Sequence, residues 1–394
     1  MQKIISIYKD SAFNEREDYI PSLNGMRFLM VFLVACFHIW QQSWLSPSIT
    51  IGDKTHSLDY LFRTGYMWVD GMLLLSAFLL YIPYAIAKEK GSQSPDWKVF
   101  YKKRLVRIAP SFYLCVFFML FFNALPNNLY TSGSDCIKDL LAHISFTHTL
   151  FPFSYYNTPL NGALWTIGVQ MQFYFIFPFL ARSFRKQPLL TYTLMTATAF
   201  IFRFYASTLA DCSMYFNQMP AFLDVFANGF LAASIYVSLK RNLKEHVYSR
   251  IFFSICLVVC AIAISTLLKA QAGEMSVSAI RQGQMSRRYQ FSLLISVVII
   301  SLPQSLGGIR LIFSNKGATF LAGISYQFYI YHQLIAVWLK KRGIPPSAYE
   351  NPHVQGDYLW QVKYIIICLF AAFAVSAAIT YLFEKPLSKK LLKK

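Results

Sequence analysis

Hydrophobic residues occur in long runs along the whole chain, and short polar stretches separate one run from the next. Read in windows of about 19 residues, this pattern predicts ten membrane-spanning helices. Their approximate ranges are 23–44, 66–87, 106–125, 163–182, 188–206, 219–239, 250–268, 289–309, 317–339 and 361–383. The apolar segment 141–156 is short and interrupted, so we expect it to dip into the membrane interface or to cover the bundle as a loop. The predicted fold is an all-α, polytopic integral membrane helix bundle of about ten transmembrane helices.

The composition supports a lipid environment. Of the 394 residues, 56% are hydrophobic and only 14% are charged, whereas soluble domains carry about 25% charged residues. We divide the chain into a cytoplasmic N-terminal segment (1–22), a transmembrane domain (23–385) and a basic cytoplasmic tail (386–394). The polar N-terminus lacks the apolar core of a cleaved signal peptide. The seven cysteines are odd in number and contain no CxxC pair, so we interpret them as small buried residues.

The formal net charge of +19 could indicate nucleic-acid binding, but its distribution indicates membrane topology. Lys and Arg lie in short loops between the apolar runs, which excludes a nucleic-acid surface and suits orientation in a bilayer. Placing both termini in the cytoplasm puts about twice as many basic residues on that side as on the other. The loops that contain "RQGQMSRR" and "KKRG" are basic on the opposite side. Such charges could also attract anionic lipid or a phosphorylated cofactor.

Two ionisable side chains interrupt the first predicted span, "LNGMRFLMVFLVACFHIWQQSW". Arg27 and His38 are eleven residues apart, which is about three helical turns, so both project from one face at a separation of roughly 16 Å along the axis. Ionisable residues within a membrane are costly and usually functional. The alternative is that Arg27 snorkels to the headgroups and His38 completes a packing network.

Six stretches, taken in order, resemble the membrane acyltransferase-3 family. The first span carries the family's Arg and His, and the second reads "WVDGMLLLSAFLLYIPY". The basic loop "FYKKRLVRIAPSFYL" and the fourth span "LNGALWTIGVQMQFYFIFPFL" follow, and the last two are "LAGISYQFYIYHQLI" and "FEKPLSK". The resemblance covers residues from about 20 to 390. It implies an enzyme that transfers an acyl group, most often acetyl, from cytoplasmic acyl-CoA to carbohydrate hydroxyls.

The resemblance implies that His38 is catalytic and that Arg27 is its essential companion. The chemistry of these side chains is compatible, because ester formation from a thioester needs a base with a pKa near 7. His38 could act as that base or carry the acyl group transiently. Arg27 could stabilise the oxyanion or bind the donor's phosphates. The expected acceptor is a carbohydrate or glycolipid, such as a cell-surface polysaccharide, and the expected location is a bacterial inner membrane.

A cluster of cations precedes the third span. Lys103, Arg104 and Arg107 share one helical face, and Arg104 and Arg107 match the family's Arg-x-x-Arg feature. We expect these three residues to bind the diphosphate and 3′-phosphate of acetyl-CoA. Ordinary positive-inside anchoring is the alternative, especially for the lysine.

Polar residues in the fourth and ninth spans are candidates for substrate binding. Trp165, Gln170 and Tyr174 lie in the fourth span, and the family usually has Glu where this chain has Gln170. An amide can hold a substrate but cannot act as a base, and hydrogen bonding between helices is the alternative. In the ninth span, Tyr329 and His332 lie on one stripe, and an interhelical hydrogen bond is again the alternative for His332.

Asp70, beside Gly71 at the start of the second span, either orients an imidazole or caps that helix. For Glu384, in "FEKP", we expect a structural role or an ion pair with a basic loop. His143 and His148 lie in the short apolar segment. No further Asp, Glu, His or Cys lies at ligand spacing from them, so we expect no metal site.

Two other functions are compatible with the sequence. Ten spans with internal polar residues also suit a transporter or a polysaccharide flippase, although no internal repeat or pair of broken half-helices is evident. A family-like protein that has lost its chemistry is the third possibility, with Gln170 as the sign. The substrates expected for the leading interpretation are acyl-CoA and a glycan acceptor, within a lipid bilayer and without nucleic acid.

Overall fold

The computed structural model describes residues 19–243 and 246–393, and most of them are helical. The first elements are α1 (Pro21–Ser43), β1 (Ser48–Ile51), β2 (Lys54–Ser57), α2 (Asp59–Arg63), α3 (Trp68–Glu89), α4 (Trp97–Met119), α5 (Gly133–Ile144), α6 (Pro152–Tyr155), α7 (Trp165–Lys186) and α8 (Pro188–Ser207). The chain continues with α9 (Ser213–Phe216), α10 (Leu223–Asn242), α11 (Val247–Ala272), α12 (Val277–Ser301), α13 (Gly307–Ser314), α14 (Lys316–Lys341), α15 (Tyr358–Ile379) and α16 (Lys385–Lys393). Turns of 3-10 helix precede α3, α7 and α10, and π-helical turns follow α4 and α15.

Eight helices in the described part of the chain are long and apolar enough to cross a membrane. They are Pro21–Ser43, Gly65–Glu89, Trp97–Ala124, Gly162–Lys186, Pro188–Ser207, Met219–Asn242, Val247–Ala272 and Tyr358–Leu392. A bent pair raises the number to nine if it counts as one span. The prediction of an all-α, multi-span membrane bundle is confirmed. The side of the membrane on which each end lies stays a prediction.

Two of the ten predicted spans differ from the simple expectation. The straight span predicted over 289–309 is wrong, because the chain bends by 105° between Val277–Gln304 and Gly307–Ser314. Pro303 has no amide hydrogen to continue the helix at this break. The predicted span 317–339 lies within α14, which has 26 residues but is not one of the eight apolar helices. Its polar residues Gln327 and His332 are fully buried, so protein and not lipid surrounds them.

Helix α1 lies in the middle of the bundle because glycines allow its neighbours to approach. Pro21 occupies the first turn, where a missing amide hydrogen costs nothing. A Cβ atom at Gly25 would collide with the backbone of Phe313 in α13, and one at Gly65 would collide with the Leu33 carbonyl oxygen of α1. Its main partners are α14, α13 and α3. This packing places Arg27 and His38 inside the protein.

Two buried ion pairs connect helices α3, α8, α10 and α12. The Arg203 guanidinium of α8 binds the Asp224 carboxylate of α10 at 2.7 Å. Arg288 Nε of α12 lies 3.3 Å from Asp70 Oδ2 of α3. Both arginines also donate to the carbonyl oxygen of Ala221. Since all four side chains are almost fully buried, the pairs connect four helices in a low-dielectric interior.

The connections between spans contain the short elements. Segment 141–156, which we expected not to cross the membrane, forms the end of α5, a 3-10 turn at His148–Leu150 and α6. An antiparallel hairpin, β1 with β2, follows α1 with Ser48 opposite Ser57. Every residue of its strands is exposed. The sequence analysis did not predict this hairpin, because four-residue strands without a buried face give no alternating pattern.

The expected terminal segments are only partly described. Most of the segment 1–22 lies outside the described residues, although α1 already begins at Pro21. Of the basic tail expected at 386–394, residues 386–393 are helical as part of α16, and residue 394 lies outside the described residues. The three-part division of the chain therefore stays a prediction.

Candidate functional site

The two histidines in the first and ninth predicted spans meet inside the bundle. His38 Nδ1 of α1 lies 2.7 Å from His332 Nε2 of α14, and the two rings are 5.0 Å apart with an interplanar angle of 22°. His332 is fully buried, whereas His38 is half-buried. Helices α1 and α14 are thus joined through the one histidine in each.

The hydrogen bonds around His332 define which nitrogen of His38 is free. His332 Nδ1 lies 3.0 Å from the carbonyl oxygen of Phe328. A carbonyl oxygen only accepts, so Nδ1 of His332 carries the hydrogen, and its Nε2, in the neutral ring, has a lone pair. His332 Nε2 therefore accepts from Nδ1–H of His38. This leaves the lone pair of His38 Nε2 available, and that atom makes no hydrogen bond within the described part of the chain.

A cavity of about 140 Å³ lies beside α1 and α14. Helices α1, α3, α4, α7 and α14 supply its walls. Its polar lining consists of Arg27, Ser76, Arg104, Arg107, Thr166, Gln170, Tyr174, Ser325, Tyr326 and Tyr329. The remaining residues are aliphatic, such as Val31, Val69 and Ile167. The structure therefore brings Arg27 of the first span into the same cavity as Arg104 and Arg107, which precede the third predicted span.

None of the three cavity arginines forms an ion pair among the described residues, although Glu384 interacts with Arg107 at longer range. No carboxylate lies within ion-pair distance of Arg27, Arg104 or Arg107, in contrast to Arg203 and Arg288. Nε of Arg104 is buried without a hydrogen-bond partner there. Three guanidinium groups that share a cavity repel one another unless an anion joins them. The cavity is therefore suited to a ligand with several negative charges.

Gln170 is the centre of a polar cluster in this cavity. Its Nε2 donates to Ser76 Oγ at 2.9 Å and to Tyr174 Oη at 2.6 Å, and these two hydroxyl oxygens are 3.1 Å apart. The family usually has a glutamate at this position, and its negative charge would offset the positive charge of the arginines. The amide of Gln170 is neutral and does not do so. Ser76 was missed by the sequence analysis, because serine is a common small residue in membrane helices.

A hydrogen bond between α7 and α14 separates the cavity from the histidine pair. Thr166 Oγ1 donates to Tyr329 Oη at 2.7 Å. Both residues line the cavity, and the Tyr329 ring lies 5.7 Å from the His332 ring. Because Tyr329 Oη accepts from Thr166, its own hydrogen remains available to a ligand.

Three of the residues predicted for the site lie elsewhere. Lys103 is exposed and does not line the cavity. The Trp165 ring packs 6.1 Å from Phe222 instead. Asp70 neither orients an imidazole nor caps the helix, because it pairs with the buried Arg288 and its helix has no side-chain cap. That interpretation was wrong because Arg288, 218 residues away, could not be recognised as its partner.

The other acidic and imidazole residues that we singled out have structural contacts. Glu384 Oε2 accepts from Gln327 Nε2 at 2.7 Å. His143 Nδ1 lies 3.1 Å from Asp139 Oδ1, and its ring stacks on that of His148 at 4.3 Å. Among the described residues, no group of three or more His, Cys, Asp or Glu side chains is arranged to hold a metal ion.

The family model described as "Acyltransferase domain" matches residues 20–381, which is nearly the whole chain. The chain belongs to this acyltransferase family. The resemblance to this family is thereby confirmed, and the matched range contains the first five of the six sequence stretches, both histidines and all three cavity arginines.

Curated relatives of this acyltransferase are similar to it over much of its length. A protein of Acidianus two-tailed virus named "Putative acetyltransferase ORF330" is 24% identical over 336 residues, covering 84% of this chain and 87% of its own length. "O-acetyltransferase OatA" of Staphylococcus aureus (strain NCTC 8325 / PS 47) is 25% identical over 390 residues, covering 94% of this chain. The chain spans only 58% of that relative's length. No solved structure matches the acyltransferase.

A third relative carries a more specific name. "Peptidoglycan O-acetyltransferase OatA" of Listeria monocytogenes is 25% identical over 167 residues, which is 41% of this chain and 24% of the relative. Family and relatives together indicate an enzyme of acyl transfer, and specifically an O-acetyltransferase.

Proposed function

We propose that the acyltransferase moves an acetyl group from acetyl-CoA to a hydroxyl group of a carbohydrate, with His38 as the general base. The observation that carries this proposal is the free Nε2 of His38, held in one tautomer by His332, beside a cavity with three arginines that form no ion pair among the described residues. The proposed donor site and the proposed base are thus adjacent in the same group of helices.

The arginines support CoA as the donor. CoA carries a diphosphate and a 3′-phosphate, and guanidinium groups bind phosphate oxygens in pairs. Arg107 is exposed and Arg104 half-buried, so phosphate groups would enter from the side of α4. Arg27 lies deeper, on α1, where its charge would meet a phosphate or the polarised thioester. The aliphatic wall between the arginines and Tyr329 suits the uncharged pantetheine arm.

The proposed reaction needs two proton transfers, one from the acceptor hydroxyl to His38 and one from His38 to the sulfur of CoA. His38 Nε2 takes the proton of the acceptor hydroxyl while that oxygen attacks the thioester carbonyl carbon. The C–O bond forms, and the carbonyl oxygen becomes an oxyanion that the hydrogen of Tyr329 Oη would stabilise. The intermediate then breaks its C–S bond, and the thiolate of CoA takes the proton from His38. The products are the acetyl ester and CoA.

The proposed acceptor is a carbohydrate or glycolipid of the cell envelope. The name of the Listeria monocytogenes relative, a peptidoglycan O-acetyltransferase, supports this choice. The excess of basic residues at the terminal side of the spans supports cytoplasmic termini. We therefore place the chain in a bacterial plasma membrane, with acetyl-CoA at the cytoplasmic side.

The decisive test is acetyl transfer by the purified full chain with isotopically labelled acetyl-CoA. His38→Ala is expected to lower the yield of acetylated glycan by at least about 100-fold, the usual contribution of a general base, with unchanged insertion and thermal stability. His56→Ala, on the exposed hairpin, is the matched control and should keep full activity.

Two results would contradict the proposal. One is acetylation by His38→Ala at the rate of the unsubstituted chain. The other is transport of an unmodified glycan across vesicles that contain the protein, without any acetylated product, which would indicate a flippase.

A further inference from the structure

The cavity has two chemically different ends, and helix α7 runs from one to the other. Tyr174 of α7 lies beside Arg104 at the cationic end. Thr166, eight residues earlier, bonds to Tyr329 at the end that meets the histidine pair. Eight residues of helix span about 12 Å. Gln170 lies halfway between Thr166 and Tyr174 on the same face, and all five residues line the cavity.

The polar cluster around Gln170 offers one donor and one acceptor to a ligand. Both hydrogens of Gln170 Nε2 are used, one on Ser76 Oγ at 2.9 Å and one on Tyr174 Oη at 2.6 Å. The two hydroxyl oxygens are 3.1 Å apart, so one hydroxyl donates to the other and the second keeps its hydrogen. Gln170 Oε1 accepts no hydrogen bond within the described part of the chain, and, unlike Arg104 Nε, it is not enclosed by protein. The free hydroxyl hydrogen and this oxygen are therefore available to a ligand in the cavity.

The amide of residue 170 is the group that creates this arrangement. A carboxylate at the same position would accept from both hydroxyls, so neither hydrogen would be left for a ligand, and its charge would attract the arginines. With the amide, the middle of the cavity is neutral and has both a donor and an acceptor. The secondary amides of a ligand have the complementary groups, a carbonyl oxygen and an N–H.

The donor of the proposed function has its groups in the same order. In acetyl-CoA, the amide groups of the pantetheine arm lie between the diphosphate and the thioester. The cavity has arginines at one end, the neutral cluster in the middle and the Tyr329 hydroxyl at the end near the histidine pair. An uncharged sugar acceptor has no anionic end for the arginines, so this order favours the donor as the ligand of the cluster.

We infer that Gln170, Ser76 and Tyr174 recognise the amide groups of the pantetheine arm, an inference that rests on the proposed function because it takes acetyl-CoA as the donor. The free hydroxyl hydrogen of the cluster donates to a carbonyl oxygen of the arm, and an amide N–H of the arm donates to Gln170 Oε1. These bonds fix how deeply the arm enters, so that the thioester lies beside Tyr329 while the phosphates lie at the arginines. The cluster thus selects acyl thioesters of pantetheine.

The test compares two ligands that differ in this arm. Equilibrium dialysis with the purified full chain in lipid nanodiscs measures the Kd of radiolabelled CoA and that of adenosine 3′-phosphate 5′-diphosphate, a nucleotide that keeps the phosphates and lacks the arm. Gln170→Met has nearly the same shape but neither the acceptor nor the amide that orients the hydroxyls. It is expected to weaken CoA binding about tenfold, as loss of these hydrogen bonds implies, and to leave nucleotide binding unchanged.

Two further variants show where the effect arises. Arg107→Ala should weaken the binding of both ligands, because both carry the phosphates that Arg107 binds in the proposed function. Gln290→Met replaces an exposed glutamine of α12 that does not line the cavity, and it should change neither Kd. Retained nucleotide binding by Gln170→Met shows that its site is folded, so its lost affinity for CoA cannot reflect lost folding.

The inference is overturned if Gln170→Met weakens the binding of CoA and of the nucleotide by the same factor, or if it weakens neither. Both of these results leave acetyl-CoA as the donor, so the proposed function survives them. If the unsubstituted chain binds neither ligand, the proposed donor is refuted, and the inference about its arm is refuted with it.

Discussion

His332 acts on the proposed reaction through a single hydrogen atom. Its Nδ1–H donates to Phe328, which forces its Nε2 to accept from His38. If His332 could not accept, the hydrogen of His38 would be free to move to Nε2, where it would block the lone pair. His332 is therefore a positioning residue for His38 in our proposal.

We predict that His332→Phe lowers kcat about 100-fold with little change in the KM for acetyl-CoA, as expected for loss of a partner that orients a functional imidazole. His332→Gln should recover about tenfold of this loss. The glutamine amide can still donate to Phe328 and its oxygen can accept from His38. Steady-state kinetics of the two variants provide the measurement. Equal activity of both variants would mean that His332 only fills space.

Individual site residues could be predicted from the sequence, but their partners could not. Arg27, His38 and His332 stand out because each is ionisable within an apolar run. The contact between His38 and His332 joins positions 294 residues apart and depends on which helices pack together. The structure places Arg104 in the cavity wall and leaves Lys103 exposed outside it, so phosphate binding by Lys103 stays a prediction.

Among the short elements, α5 and the turn after it cover the bundle through a buried polar cluster. His148 Nε2 donates to the backbone oxygen of Leu164 at 3.1 Å, at the start of the fourth span. Its ring stacks on that of His143 at 4.3 Å and lies 5.8 Å from the Phe112 ring, tilted by 32°. Asp139 lies beside His143 and accepts from Tyr130 and Thr158. These contacts explain why an apolar segment too short to cross the membrane is nevertheless buried.

The pKa of His148 gives this segment a pH dependence. Burial and the neighbouring His143 lower the pKa of His148 to about 3, against about 6.5 in an unfolded chain. Between these values the unfolded chain binds a proton that the folded chain does not. The free energy of unfolding should therefore decrease as the pH is lowered from 6.5, by up to about 1.4 kcal/mol per pH unit. His143, Asp139 and Tyr130 are the other titratable groups that face the ring.

His148→Gln tests this prediction, because its amide can still donate to Leu164 but does not titrate. The thermal midpoint of the unsubstituted chain should decrease between pH 6.5 and 5, and that of His148→Gln should decrease less. His56→Gln on the hairpin is the control. Parallel curves for all three proteins would show that His148 is not the group that titrates.

Across the whole molecule, the site depends on charges that do not touch it. Asp70 and Arg288, with Arg203 and Asp224, join α3, α8, α10 and α12 on the side of α3 away from the cavity. Val69 and Met72, one and two residues from Asp70, line the cavity wall. Hydropathy predicts such helices but not which of their charges are buried. An arginine near the end of a span is equally compatible with the positive-inside rule, in which it only orients the helix in the membrane. Most of the fold was thus predictable, and the supports of the site were not.

We predict that Asp70→Asn destabilises the protein by about 3–5 kcal/mol, because Arg288 would remain buried without a counter-charge. Removal of both charges in Asp70→Leu/Arg288→Met should recover most of that loss, since apolar replacements of a buried pair are often tolerated. Thermal unfolding in detergent micelles is the measurement, with Asp59→Asn as a control, because the Asp59–Arg63 pair is partly exposed. A double variant as unstable as Asp70→Asn would show that the ion pair itself stabilises the bundle. Equal stability of Asp70→Asn and the unsubstituted chain would show that Arg288 does not need the carboxylate.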